Sequence, residues 1–130
     1  MAAAAFVLAP AAAAQAADVG DGSLDCNSGE ICFSQHEWHE GGRKHFWYNA
    51  IHTDLDFHTG YPLMDEASWV WVRDTRCGIY LYDYRTGFDH SLWLPTGGGS
   101  QALSQRSASH TSSGTWNDVN NEHKRCSSQL

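Results

Sequence analysis

Trp69-Val70-Trp71-Val72-Arg73-Asp74-Thr75-Arg76-Cys77-Gly78-Ile79-Tyr80-Leu81-Tyr82-Asp83-Tyr84 is the stretch whose reading decides the fold. Two short runs of β-branched and aromatic residues flank a polar segment that contains a glycine. Such runs favour the pleated, half-buried surface of a strand over a helix. In the second run Ile79 and Leu81 face one way while Tyr80, Tyr82 and Tyr84 face the other, because side chains alternate along a strand. Both faces carry bulk, which suits packed sheets. Outward from this stretch, Phe46-Trp47-Tyr48 and Leu92-Trp93-Leu94 read as further strands, and helical periodicity is nearly absent. The expected class is all-β. Gly97-Gly98-Gly99-Ser100 opens a Ser/Thr/Gly/Gln-rich segment to Gly114, which reads as a long surface loop.

The 130 residues suffice for one domain with a single core. Eight Lys and Arg stand against 15 Asp and Glu, a formal charge of -7, so the chain lacks the basic face that binding nucleic acid requires. Residues 1–17 contain an alanine-rich apolar run closing in Ala14-Gln15-Ala16, the small-x-small pattern of a signal-peptide cleavage site. The run is too short to span a bilayer. The expectation is a secreted, extracellular chain whose single domain covers residues 18–130, with no membrane segment.

Four cysteines, Cys26, Cys32, Cys77 and Cys126, are an even number in a short exported chain and read as two disulfides. Three pairings are possible. The turn residues Asn27-Ser28-Gly29 favour Cys26 with Cys32, leaving Cys77 with Cys126. No C-x-x-C spacing supports a zinc site.

A shift of 46 residues sets Trp38-His39-Glu40-Gly41 over Tyr84-Arg85-Thr86-Gly87, each an aromatic-x-x-Gly, and Trp47 over Trp93. Two polar elements, Met64-Asp65-Glu66-Ala67-Ser68 and Trp116-Asn117-Asp118-Val119-Asn120, repeat at about 53 instead. Two halves, about 26–72 and 77–126, describe paired Greek keys packed as a sandwich. In each corner the glycine supplies positive φ and the aromatic covers the bend.

Asp25-Cys26-Asn27-Ser28-Gly29-Glu30-Ile31-Cys32-Phe33, the aromatic-x-x-Gly corner, Asp65-Glu66-Ala67-Ser68-Trp69-Val70-Trp71 and Ile79-Tyr80-Leu81-Tyr82-Asp83-Tyr84 with Gly87 together resemble the secreted bacterial peptidase inhibitors typified by the Streptomyces metalloproteinase inhibitor. The resemblance runs from Asp25 to about His123. It implies a disulfide-braced βγ-crystallin-like fold of two Greek keys and, for some members, inhibition of thermolysin-like zinc proteases. The partner it implies is a secreted zinc metalloprotease, met by a monomeric inhibitor. The family's inhibitory loop has no residue-by-residue match here. Physically, an inhibitory segment must be exposed and held rigid. The disulfide-flanked candidates are Asn27, Ser28 and Gly29, and Asp74, Thr75 and Arg76.

The same resemblance raises calcium binding, whose family signature is two Asn or Asp, two variable positions, then Ser or Thr and a Ser. Oxygen ligands on a loop suit this hard cation. Met64-Asp65-Glu66-Ala67-Ser68-Trp69 and Asn117-Asp118-Val119-Asn120-Asn121-Glu122 both depart from that signature, so the candidates reduce to Asp65, Ser68, Asn117 and Asp118. The plainer reading is that these residues close a bend. The alternative function is thus a calcium-binding, structural or antimicrobial secreted module; the inhibitor itself needs no cofactor.

Eight histidines invite a metal reading, but His36-Glu37-Trp38-His39 is one residue short of H-E-x-x-H. Imidazoles spread over the surface are the expectation, which would take the charge from -7 toward neutral as pH falls through about 6.5. No nucleophile elbow, P-loop or unpaired thiol is found, and carboxylate pairs such as Asp54 with Asp56 read as surface charge, so no enzyme is expected.

Overall fold

The computed structural model describes residues 23–84, 90–97 and 99–126. The leader over residues 1–17, the domain start at 18 and the Gly87 corner lie outside the described residues. Among the described residues, eight strands run in chain order: β1 (Ile31–His36), β2 (Glu40–Phe46), β3 (Ala50–Ile51), β4 (Trp69–Val72), β5 (Ile79–Asp83), β6 (His90–Leu94), β7 (Ser100–Ala102) and β8 (Glu122–Arg125). They form two four-stranded antiparallel sheets ordered β2-β1-β4-β7 and β3-β8-β5-β6. Read from its other edge, the second order is β6-β5-β8-β3, the first order advanced by four strands and closed cyclically. Each half of the chain therefore builds three strands of its own sheet and lends its third strand to the other.

The hairpin registers place the internal repeat. Ile31 pairs with Phe46 and Ile79 with Leu94, so 31 to 79 and 46 to 94 are both 48 residues, not the 46 read from the glycine corners. The polar elements keep 53: Val70 opposes Phe33 as His123 opposes Leu81.

Alternation decides the core. Ile31 and Phe33 of β1, Val70 and Val72 of β4, and Ile79 and Leu81 of β5 meet between the sheets, joined by Phe46, Phe57, Leu63, Leu94, Leu103 and Trp116. A second, smaller cluster lies on the outer side of the first sheet, where Cys26, Cys32 and Trp69 are buried and Trp71 packs against them. The Cys26–Cys32 disulfide pins the entering segment over that face, and Cys77–Cys126 ties the segment before β5 to the end of β8.

Three expectations are corrected. The Gly97–Gly114 segment is not all loop: β7 pairs with the free edge of β4, and Leu103 after it is fully buried in a short 3-10 turn. A sheet edge needs only backbone hydrogen bonds from its next strand, so β7 forms without β-favouring residues. The second strand lies earlier than Phe46-Trp47-Tyr48; it ends at Phe46, and Trp47 and Tyr48 are exposed. At the first corner Gly41 does take positive φ, +71°, but the ring against it belongs to His36, while Trp38 is 70% exposed.

Candidate functional site

The two segments singled out as disulfide-flanked loops come together at one end of the molecule. The Gly29 N–H donates to Arg73 O at 2.8 Å, and the Arg73 N–H donates to Glu30 O at 2.8 Å. With Trp47, Tyr48 and Arg125 they wall a cleft of about 260 Å³. Ser28, Thr75, Arg76, Trp47 and Tyr48 are exposed around it, whereas Asn27 and Gly29 are half-buried. Trp47 and Tyr48 were not singled out from the sequence, because they read as the end of a strand.

Asp74 does not join this exposed rim. It is buried, and its carboxylate accepts the N–H of Arg76 at 2.9 Å and of Cys77 at 3.2 Å, the pattern of an Asx turn. It also receives both arms of the Arg125 guanidinium, Nη2 at 3.1 Å and Nε more closely. Burial acts to raise its carboxyl, but the hydrogen bonds from Arg125 and Arg76 prevail and hold it below the usual carboxylate range. Thr75 and Arg76 thus project from a turn fastened to β8 by an ion pair and by the Cys77–Cys126 bridge.

The calcium candidates meet elsewhere, in a reciprocal arrangement. Asp65 and Asp118 both take left-handed backbone, φ 60° and 58°. The Asp65 N–H donates to Asn120 O and the Asp118 N–H to Ala67 O, each at 3.0 Å. Asn121 Nδ2 donates to Asp65 Oδ1 at 2.7 Å, and Ser68 Oγ donates to Asp118 Oδ1 at 3.4 Å. Since 65 and 118, 67 and 120, and 68 and 121 all differ by 53, each polar element completes the other. Asn117 turns its amide onto Asp118 Oδ2 at 2.7 Å. Burial, then the charges of Asp118 and Asp65, push the Glu66 carboxyl up; burial also raises Asp118 against the Ser68 hydrogen bond.

The histidines are not simply spread over the surface. His45, His52 and His123 are fully buried. His52 and His123 sit in the core against Phe33 and Phe46, and burial lowers both, His123 to about 4. They therefore do not contribute to the expected loss of negative charge near pH 6.5. A second group runs along the outer face of the first sheet, from buried Glu30 through His45 to His39. Sequence reasoning missed all three burials, because the only signal was strand alternation: His45 lies one step from Lys44 and Phe46 in a strand placed too late.

Comparison with protein-family models, curated proteins and solved structures finds no match to this chain. Two disulfides suit an oxidising environment, and among the described residues no helix is long and apolar enough to cross a membrane.

Proposed function

We propose that the protein is a secreted peptidase inhibitor of thermolysin-like metalloproteases that acts, as a monomer, by occluding the active-site cleft. The observation that carries this reading is the bracing of the Asn27–Gly29 and Asp74–Arg76 turns side by side, with Ser28, Thr75 and Arg76 exposed on the rim they form. A substrate-like inhibitor must present its contact segment already ordered, so that little entropy is lost on docking. Each turn is flanked by a disulfide, and the second is also held by Asp74 and Arg125. The protease class comes from the family resemblance of the sequence. The strand exchange between the sheets supports a βγ-crystallin-like arrangement of two Greek keys.

The test is titration of the oxidised protein against thermolysin, with a subtilisin-type serine protease as control. Stoichiometric loss of thermolysin activity alone supports the reading, and lack of inhibition of either enzyme at high excess counts against it.

A second reading has its own observation. The Asp65 and Asp118 carboxylates and the Ser68 hydroxyl stand on or beside two turns of left-handed backbone and offer the hard oxygen ligands that suit Ca2+, while Asn121 meets Asp65 through its amide nitrogen. A calcium module gains thermal stability as Ca2+ is added, because the ion binds only the folded chain.

A further inference from the structure

On the outer face of the first sheet, His39 and His45 meet nitrogen to nitrogen. Their Nε2 atoms are 2.9 Å apart while the ring centroids are 5.1 Å apart, so the rings approach tip to tip instead of overlapping. At that distance one Nε2 donates its hydrogen to the lone pair of the other, and in either ring the same Nε2 is an atom whose lone pair can ligate a metal. Behind His45, its Nδ1 lies 3.4 Å from Oε2 of Glu30, and both side chains are almost completely buried. A carboxylate on the far nitrogen of an imidazole fixes the ring's tautomer and orientation and raises its basicity as a ligand.

The turn that delivers His39 is strained. Trp38 and His39 are consecutive non-glycine residues with φ of 62° and 61°. Left-handed backbone is unfavourable for bulky side chains, and structures concentrate that strain at working sites. The strain brings the His39 ring against Trp69, at 5.1 Å between centroids. Cys26 and Cys32 lie beside Glu30, but their sulfurs are bonded to each other and offer no thiolate.

We propose that His39 and His45 bind a transition-metal ion of the copper or zinc type, with Glu30 as the positioning residue behind His45 and solvent completing the coordination at the open side. The ion takes the place of the shared proton, and His39, which carries that proton at Nε2, stays neutral by exchanging through solvent to its Nδ1–H tautomer. Two metal–nitrogen bonds of about 2.0 Å at a tetrahedral angle span about 3.3 Å, so the nitrogens separate by about 0.4 Å and the rings turn off their tip-to-tip line until both lone pairs converge on the ion. His45 is pinned inside the sheet, and half-exposed His39, on its turn, makes that movement. Copper(II) binds such a nitrogen site more tightly than zinc does.

The test titrates the oxidised protein with copper(II) chloride, read by electron paramagnetic resonance and by tryptophan fluorescence. One equivalent binds with nitrogen hyperfine structure from two imidazoles, and fluorescence falls because Trp69 touches the site. His39→Asn, on the accessible side, abolishes that equivalent. Glu30→Gln weakens it about 10- to 100-fold, the usual effect of removing a carboxylate behind a ligating histidine. His36→Asn leaves it unchanged. Far-ultraviolet circular dichroism establishes that each variant is folded, and a failure of Glu30→Gln to fold leaves His39→Asn as the deciding variant. Binding that survives His39→Asn, or that depends equally on His36, overturns the proposal, as does the absence of a stoichiometric site in the unsubstituted protein. Inhibition of thermolysin is independent of these outcomes.

Discussion

His52 Nε2 and His123 Nδ1 lie 2.9 Å apart in the core, and their surroundings fix which of them donates. His123 Nε2 is 2.8 Å from Tyr48 O, which can only accept, so in the neutral ring His123 Nδ1 is the acceptor and His52 Nε2 donates to it. His52 Nδ1 then accepts from Asn120 Nδ2 at 2.8 Å. The second amide hydrogen of Asn120 goes to Leu63 O at 2.9 Å, and its oxygen accepts the Ala67 N–H at 2.9 Å. The chain has one proton order, in which every partner is satisfied and both histidines are neutral.

Acid should therefore destabilise the protein well above the range of ordinary carboxylates. Below about pH 6.5 the unfolded chain binds a proton at each of these histidines, while His123 in the fold resists it until about 4. The unfolded state then holds more protons, so stability falls as pH drops through that window and levels off beneath it. At pH 5 the loss from His123 alone is about 2 kcal/mol relative to pH 7.5. Urea midpoints at the two pH values measure it; equal midpoints would refute the proton order.

Asn120→Ala removes the amide that closes the chain and leaves Leu63 O, the Ala67 N–H and His52 Nδ1 without their partner. Buried groups left unpaired cost about 1–3 kcal/mol each, so the expected loss of stability exceeds about 2 kcal/mol. Thermal melting is the check, and a loss below about 1 kcal/mol contradicts the accounting.

Gly42→Ala is expected to cost about 1–3 kcal/mol by overpacking. A Cβ there stands 2.5 Å from Phe57 Cβ, an atom close to the backbone that has no rotamer by which to escape. Gly60→Ala is the contrast: its φ of +88° brings strain, but the new Cβ meets nothing within 4 Å. Paired melts should rank Gly42→Ala as the more damaging.

The two disulfides differ in the loops they close. Their sequence separations are 6 and 49. By loop entropy the short ring contributes about 2.4 kcal/mol and the long ring about 4. Paired Cys→Ser variants, compared by urea unfolding, should show the larger loss for Cys77 with Cys126, and the reverse order would contradict the loop-entropy account.

Asp74→Asn loses the charge that holds Arg125 and loosens the turn bearing Thr75 and Arg76. On the inhibitor reading, apparent affinity for thermolysin falls about tenfold, while Arg76→Ala tests the side chain at the rim directly. The Asp74 carboxyl is depressed in the fold, so its contribution to stability is present above its ordinary value and is lost as pH falls through the lowered one. Loss of that acid-range contribution in Asp74→Asn is read from the same urea series.

What the sequence determined by itself was what depends on near neighbours. The alternation of Ile79 and Leu81 with Tyr80 and Tyr82 reads directly as a strand with an inner and an outer face, and β5 has that burial. The turn residues between Cys26 and Cys32 were enough to favour their pairing, because a short ring needs only local reversal. Tertiary structure decided what depends on chain segments far apart. Ser100–Ala102 is a strand because β4 offers it an unpaired edge, and nothing in its own side chains announces that. His45, His52 and His123 carry the same side chain as exposed histidines, and only the partners brought by distant strands make their burial tolerable. The rim that joins residues 27–29 to 74–76 arises in the same way, from the pairing of β1 with β4.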